Sequence, residues 1–208
     1  MPDNKPTTSL ALPSLALHRR AVLLAGLGAL LSGRAWGQQD AYPPVFGTAR
    51  SQFTIVRPRR KLPPLRLQDL NGRDAVLAPK PGHIALVNLW ATWCAACRTD
   101  LPTLASLDKR RRPGLEVWAI CTDTVDLRRI KAFLHDLAVP SQIALADPYA
   151  SAVNPHDSSA STLETVRMPI TYLIGKTGIV EGYITGAADW LSPEGTALLD
   201  FYRDQAEE

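Results

Sequence analysis

Two of the three cysteines in this 208-residue chain, Cys94 and Cys97, stand two residues apart within Asn88–Pro102, NLWATWCAACRTDLP, directly after an apolar run. Such a pair can hold a metal, close a disulfide or carry electrons. A structural zinc site takes four ligands, usually two such pairs or one pair plus two histidines. The other candidates here are a distant Cys121 and His83, His135 and His156, none at metal spacing, which argues against zinc. An inert staple is also a poor use, because so short a loop constrains little of the unfolded chain. Placement favours reactivity. Cys94 falls where a strand gives way to a helix, and the unpaired N–H groups and positive dipole end of a helix stabilise a thiolate there. Cys97, one turn along and shielded by the helix, is placed to resolve a mixed disulfide formed at Cys94.

The elements that must hold this pair can be read from periodicity and turn residues. Residues 83–90, HIALVNLW, form a nearly continuous apolar run suited to a central strand buried on both faces. The stretch after the cysteines has helical composition, with Leu101, Leu104 and Leu107 spaced for one face and Asp100 three residues after Cys97. Residues 114–121 read as the next strand. Residues 125–137 read as an amphipathic helix with Ile130, Phe133, Leu134 and Leu137 inward, and 141–145 as a short strand. Residues 146–165 are loop-like and contain His156. Residues 169–175 and 178–185 read as two strands joined through KTG. Ser192-Pro193-Glu194 caps a closing helix. Upstream, residues 53–77 read as short strands broken by prolines, with Asn71-Gly72 as a hairpin turn. The alternation predicts an α/β domain with a parallel core, helices on both faces, and a hairpin that makes the sheet mixed.

With those residues in view, the chain resembles the thioredoxin superfamily, and in particular its exported TlpA-like and ResA-like thiol:disulfide reductases. Trp93 precedes the first cysteine, and Trp90-Ala91 matches the family's strand end. Pro102 matches the proline of its active-site helix, and VRMPITYLIGKTGIVEGYITG resembles the segment carrying its cis-proline. The resemblance covers roughly residues 52–205 and implies a thioredoxin-like fold with an N-terminal strand or hairpin extension. It implies Cys94 as the attacking thiolate, Cys97 as the resolving thiol and a redox-active Cys94–Cys97 disulfide. It implies a cis Pro169 that presents the Met168 backbone to an incoming polypeptide, and a client-contacting Trp93; no cofactor and no resident metal are called for. Asn88 occupies the position of the buried aspartate of cytosolic thioredoxins and cannot ionise, as is common among TlpA-like proteins. Asp100 stands where ResA-like proteins carry a glutamate thought to tune thiol acidity, so it is a candidate acid/base or pKa-tuning group; a solvated helix carboxylate is the alternative. Ala95-Ala96 supplies no donor between the cysteines, which argues against extreme stabilisation of the dithiol and for a reductant. Cys121, ending an apolar strand, reads as a buried free thiol.

The N-terminus sets the compartment. Arg19-Arg20 precede the uncharged run 21–33, and Ala35 and Gly37 lie three and one residues before a cleavage point at Gln38. That is a signal-peptide layout over 1–37, twin-arginine in style, with an uncleaved membrane anchor as the rival reading. Residues 38–51 read as a linker and 52–208 as the thioredoxin-like domain. The formal charge of +3 resides in the leader: without Lys5, Arg19, Arg20, Arg34 and Asp3, the rest holds 19 basic and 19 acidic residues. Nothing there supports nucleic-acid binding. The sequence thus predicts a periplasmic protein in an oxidising compartment that reduces client protein disulfides and draws electrons from a thiol-disulfide donor in the membrane. By the resemblance, cytochrome c or copper-site maturation supplies the clients. The alternative function is a Cu(I) chaperone using the same cysteines. A peroxiredoxin-type peroxidase is disfavoured because Pro-x-x-x-Thr-x-x-Cys is absent.

Overall fold

The computed structural model describes residues 42–153 and 162–205. Residues 1–37, expected as an export signal, and His156 lie outside the described residues. In chain order the elements are β1 (Thr54–Ile55), β2 (Leu65–Asp69), β3 (Asp74–Leu77), β4 (Ile84–Trp90) and α1 (Cys97–Lys109), followed by β5 (Leu115–Cys121) and α2 (Leu127–Asp136). A 3-10 turn (Ser141–Ile143), β6 (Ala144–Ala146), β7 (Ile170–Ile174), β8 (Val180–Thr185) and α3 (Pro193–Asp204) complete them. The strands form one mixed sheet in the order β1-β8-β7-β4-β5-β6-β2-β3. The β4-β5 and β5-β6 pairs are parallel, and β7 and β8 return antiparallel beside β4.

Every residue of β4 is buried, as its apolar run demands for the centre of a sheet. Its side chains alternate. Ile84 and Leu86 pack with Leu104 and Leu107 of α1 and Leu198 and Leu199 of α3, while Trp90 packs with Leu101 of α1 and with Ile130 and Phe133 of α2. Ala85, Val87 and Leu89 face a separate cluster with Leu62, Leu67, Leu163 and Tyr172. The described helices therefore share one face of β4, where helices on both faces were expected. The reason is topological: β4-α1-β5 and β5-α2-β6 step the same way across the sheet, and right-handed crossovers in one direction land on one side.

Two local expectations change as well, and a third, the Asn71-Gly72 turn, holds. Ser141–Ile143 wind as a 3-10 turn, so the strand expected over 141–145 is confined to Ala144–Ala146. The Asn71-Gly72 turn forms with Gly72 at φ 81°, and Asp69 Oδ1 accepts the N–H groups of Asn71 and Arg73 at 2.8 and 2.9 Å. Residues 42–51, expected as linker, are in part docked: Phe46 is 3% exposed and its ring lies 4.8 Å from that of Trp190. Tyr42, Val45 and Phe46 stand among Pro, Gly and polar residues without periodicity, and only Phe46 of the three is buried, so its burial has no signal in the sequence. Among the described residues no helix is long and apolar enough to cross a membrane.

Candidate active site

The end of β4 delivers the chain into a turn, Ala91 to Ala96, that leads into α1 at Cys97. Cys94 and Cys97 form a disulfide with Cα atoms 5.3 Å apart. The helix begins without a side-chain cap at Ala96. Sulfur takes that part instead: the Cys97 N–H donates to Cys94 Sγ at 3.2 Å. A helix-start N–H in that position favours negative charge on the sulfur it faces. Exposure distinguishes the two cysteines as well, since Cys94 is 6% and Cys97 0% exposed. Only Cys94 reaches the surface, beside a Trp93 that is 69% exposed.

The turn is fastened from β5. The Thr122 N–H donates to the Trp90 carbonyl at 2.9 Å, and Asp123 Oδ2 accepts the Thr92 hydroxyl at 2.5 Å and the Thr92 N–H at 3.3 Å. The Met168–Pro169 peptide is cis. Met168 packs against the cluster that holds Cys94, Cys97 and Trp90, and its sulfur lies 4.0 Å from Thr122 Oγ1. The structure thus brings Cys94, Cys97 and Met168 to one place, with Pro169 leading into β7. Thr92, Thr122 and Asp123 had no signal in the sequence, because each acts only through a contact across some thirty residues.

Asp100 is not the solvated helix carboxylate that the sequence left open; it is fully buried. Asn88 Nδ2 donates to Asp100 Oδ2 at 2.8 Å and to Thr171 Oγ1 at 2.9 Å, and the Ala188 N–H donates to Asp100 Oδ1 at 3.0 Å. Burial pushes the carboxyl up to about 7, against the lowering effect of the Ala188 and Asn88 hydrogen bonds. Asn88 and Thr171 are register partners across β4 and β7. The position that cannot ionise therefore holds the carboxylate that can, a link across 12 residues on one side and 83 on the other. Cys121 is buried and unpaired, and desolvation pushes its thiol up to about 12, so it stays protonated and unreactive at neutral pH. Among the described residues no group of three or more His, Cys, Asp or Glu comes together.

Comparison with known proteins follows the same line. The family described as AhpC/TSA matches residues 58–183. The thiol:disulfide interchange protein DsbE of Pseudomonas aeruginosa is 33% identical over 134 residues, 61% of this chain and 66% of that protein. The thiol-disulfide oxidoreductase ResA of Oceanobacillus iheyensis is 27% identical over 129 residues, 59% of this chain and 55% of that protein. The chain thus spans slightly under two thirds of the one and about half of the other. The crystal structure of a putative DsbE from Chlorobium tepidum superposes with a TM-score of 0.52 at 26% identity, covering 67% of this chain and 95% of that one. The fold is thioredoxin-like.

Proposed function

The chain belongs to the AhpC/TSA family and is a thiol:disulfide oxidoreductase, and on that premise we propose that it works outside the cytoplasm as a reductant of client protein disulfides. The observation that carries the direction is the environment of the Cys94 sulfur. One backbone N–H of a helix start faces it, and Ala95 and Ala96 add no side-chain donor or charge between the cysteines. That favours a thiolate at Cys94 without the strong stabilisation of the dithiol that makes an oxidase.

In this reading the client lies along the cis Met168–Pro169 segment and contacts Trp93, its backbone pairing like an added strand. The Cys94 thiolate attacks one sulfur of the client disulfide, forming a mixed disulfide and releasing the first client thiolate. Cys97 then loses its proton to the Asp100 carboxylate, and its sulfur attacks Cys94 Sγ. The Cys94–Cys97 disulfide forms as the second client thiolate leaves. The client gains two electrons and the enzyme loses them. Restoring the dithiol in an oxidising compartment calls for a thiol-disulfide donor in the membrane, and maturing cytochrome c or copper-site proteins are the client class the sequence resemblance favours.

The deciding measurement is the reduction potential of the pair, by equilibration with glutathione and with a thioredoxin. A value of about −200 mV or lower supports reduction of clients; a value near roughly −120 mV makes the protein an oxidant and overturns the reading.

A further inference from the structure

We propose that the Asn88 carboxamide is a two-position hydrogen-bond switch whose orientation follows the proton on Asp100. The starting observation is an orphan. Asn88 is fully buried and spends both Nδ2 hydrogens, on Asp100 and on Thr171, while its Oδ1 has no partner. Two other buried polar atoms among the described residues share that condition, Trp90 Nε1 and Trp190 Nε1. An indole N–H is a donor only, so turning the ring cannot convert it. A carboxamide is different, because its two ends have the same shape and opposite hydrogen-bonding sense.

Rotation of the Asn88 amide by half a turn puts Oδ1 where Nδ2 now sits, opposite Asp100 Oδ2 and Thr171 Oγ1. Both neighbours must then donate. The Thr171 hydroxyl does so by turning about its C–O bond, having accepted before. Asp100 does so only as a carboxylic acid. In this second position the former orphan is satisfied and Nδ2 becomes the unpartnered group. Each position therefore leaves one buried polar atom unmatched, and that shared penalty largely cancels between them. What selects the position is the proton: a carboxylate draws the NH2 end, and a carboxylic acid draws the oxygen end. The Ala188 N–H donates to Asp100 Oδ1, the other oxygen, and serves both states.

No charge competes for the decision. The groups hydrogen-bonded to the Asp100 carboxyl are the Asn88 amide on β4 and the Ala188 N–H before α3, and the Asn88 amide is bonded in turn to Thr171 on β7; Ala119 of β5 and Ile184 of β8 flank Asn88 and Thr171 in the sheet. The nearest charges in sequence are turned to other partners. Arg98 lies over the Phe133 ring at 5.1 Å, and Asp189 accepts the Leu191 N–H. Burial and the two hydrogen bonds are the causes that act on the Asp100 carboxyl, with no charged group among them. The switch gives the site a buried acid whose two protonation states are both solvated by the same neutral side chain. The consequence for turnover rests on the reductase reading: the proton that Cys97 gives up has a place to go without the burial of an unpaired carboxyl oxygen.

The test is a pH titration of the oxidised full chain by NMR, following the Asp100 side-chain carbon and the Asn88 Nδ2 protons together. The expected result is that the Asn88 protons lose their hydrogen-bonded downfield shift as pH falls, with the same midpoint as Asp100, and that Asp100→Asn removes this pH dependence. The inference is overturned if the Asn88 signals hold their shift while Asp100 titrates, or if Asp100 stays in one state between about pH 5 and 9. A pH dependence of Asn88 that persists in Asp100→Asn overturns it too. The wild-type titration needs no variant to fold. It is read without turnover, so a failed reduction-potential measurement would sink the reductase reading and leave this result standing.

Discussion

The buried carboxyl of Asp100 makes a prediction about stability that can be worked through in sign and size. Its ordinary value is 3.8, and in the folded protein burial raises it to about 7. Between those values the folded chain holds a proton that the unfolded chain has released. The stability contributed by this group is therefore fully present below about pH 4 and is lost progressively as pH rises through about 7. A shift of about three units at about 1.4 kcal/mol each sets a ceiling near 4 kcal/mol for the loss. Asp100→Asn keeps the size and one acceptor for the Ala188 N–H but cannot titrate. Urea unfolding of the oxidised wild type and the variant, at steps from about pH 4 to pH 8, gives a difference curve from which other titrating groups cancel. Asp69, Asp126 and Asp204, whose hydrogen bonds hold them below the ordinary value, act in the opposite direction in both proteins and drop out. The stability of wild type relative to variant should fall by up to about 4 kcal/mol across that range. A flat difference curve, or one that rises with pH, would show that Asp100 is not a raised, buried acid, and would remove the physical basis for the proton-acceptor role proposed for it.

Three further outcomes are expected. Trp93→Ala, at a site 69% exposed, should leave the unfolding free energy within about 0.5 kcal/mol and lower kcat/KM on a protein disulfide roughly tenfold, with a small-molecule disulfide little affected; equal losses on both substrates would mean that Trp93 supports the cysteines rather than the client. Phe46→Ala empties a site packed against Trp190 and should cost about 3–5 kcal/mol by urea unfolding, whereas a free linker would lose nothing. Asp123→Ala strands the hydroxyl and the N–H of Thr92 and should cost about 1–3 kcal/mol, with Asp123→Asn recovering most of it. If both Asp123 variants lose equally, the charge of Asp123 and not its hydrogen bonds holds the turn.

What the sequence made legible is what repeats locally or is carried by residue type at close range. The β4 strand announced itself because burial on both faces leaves no polar alternation, and the Asn71-Gly72 turn because only a few residues tolerate positive φ. The cysteine pair was legible because two thiols at the start of a helix have few other uses. The face on which the helices lie was not legible, since it depends on which way each crossover steps, a property of strand order rather than of any one segment. Neither was the docking of Phe46, a single residue held by a partner 144 positions away.

Asp100 shows the limit most clearly. Its spacing from Cys97 placed it on the right side of α1, yet the same spacing suits a solvated carboxylate. The difference between the two lies in Asn88, Thr171 and Ala188, which come from separate strands and a loop, and whose meeting is decided by the register of β4 against β7. A one-residue slip of that register would turn the Thr171 hydroxyl to the opposite face of the sheet and leave the Asn88 amide with a single neighbour. The chemistry of the site is thus specified twice, once by residue types within fifteen positions and once by a strand pairing across 83. Only the first can be read along the chain.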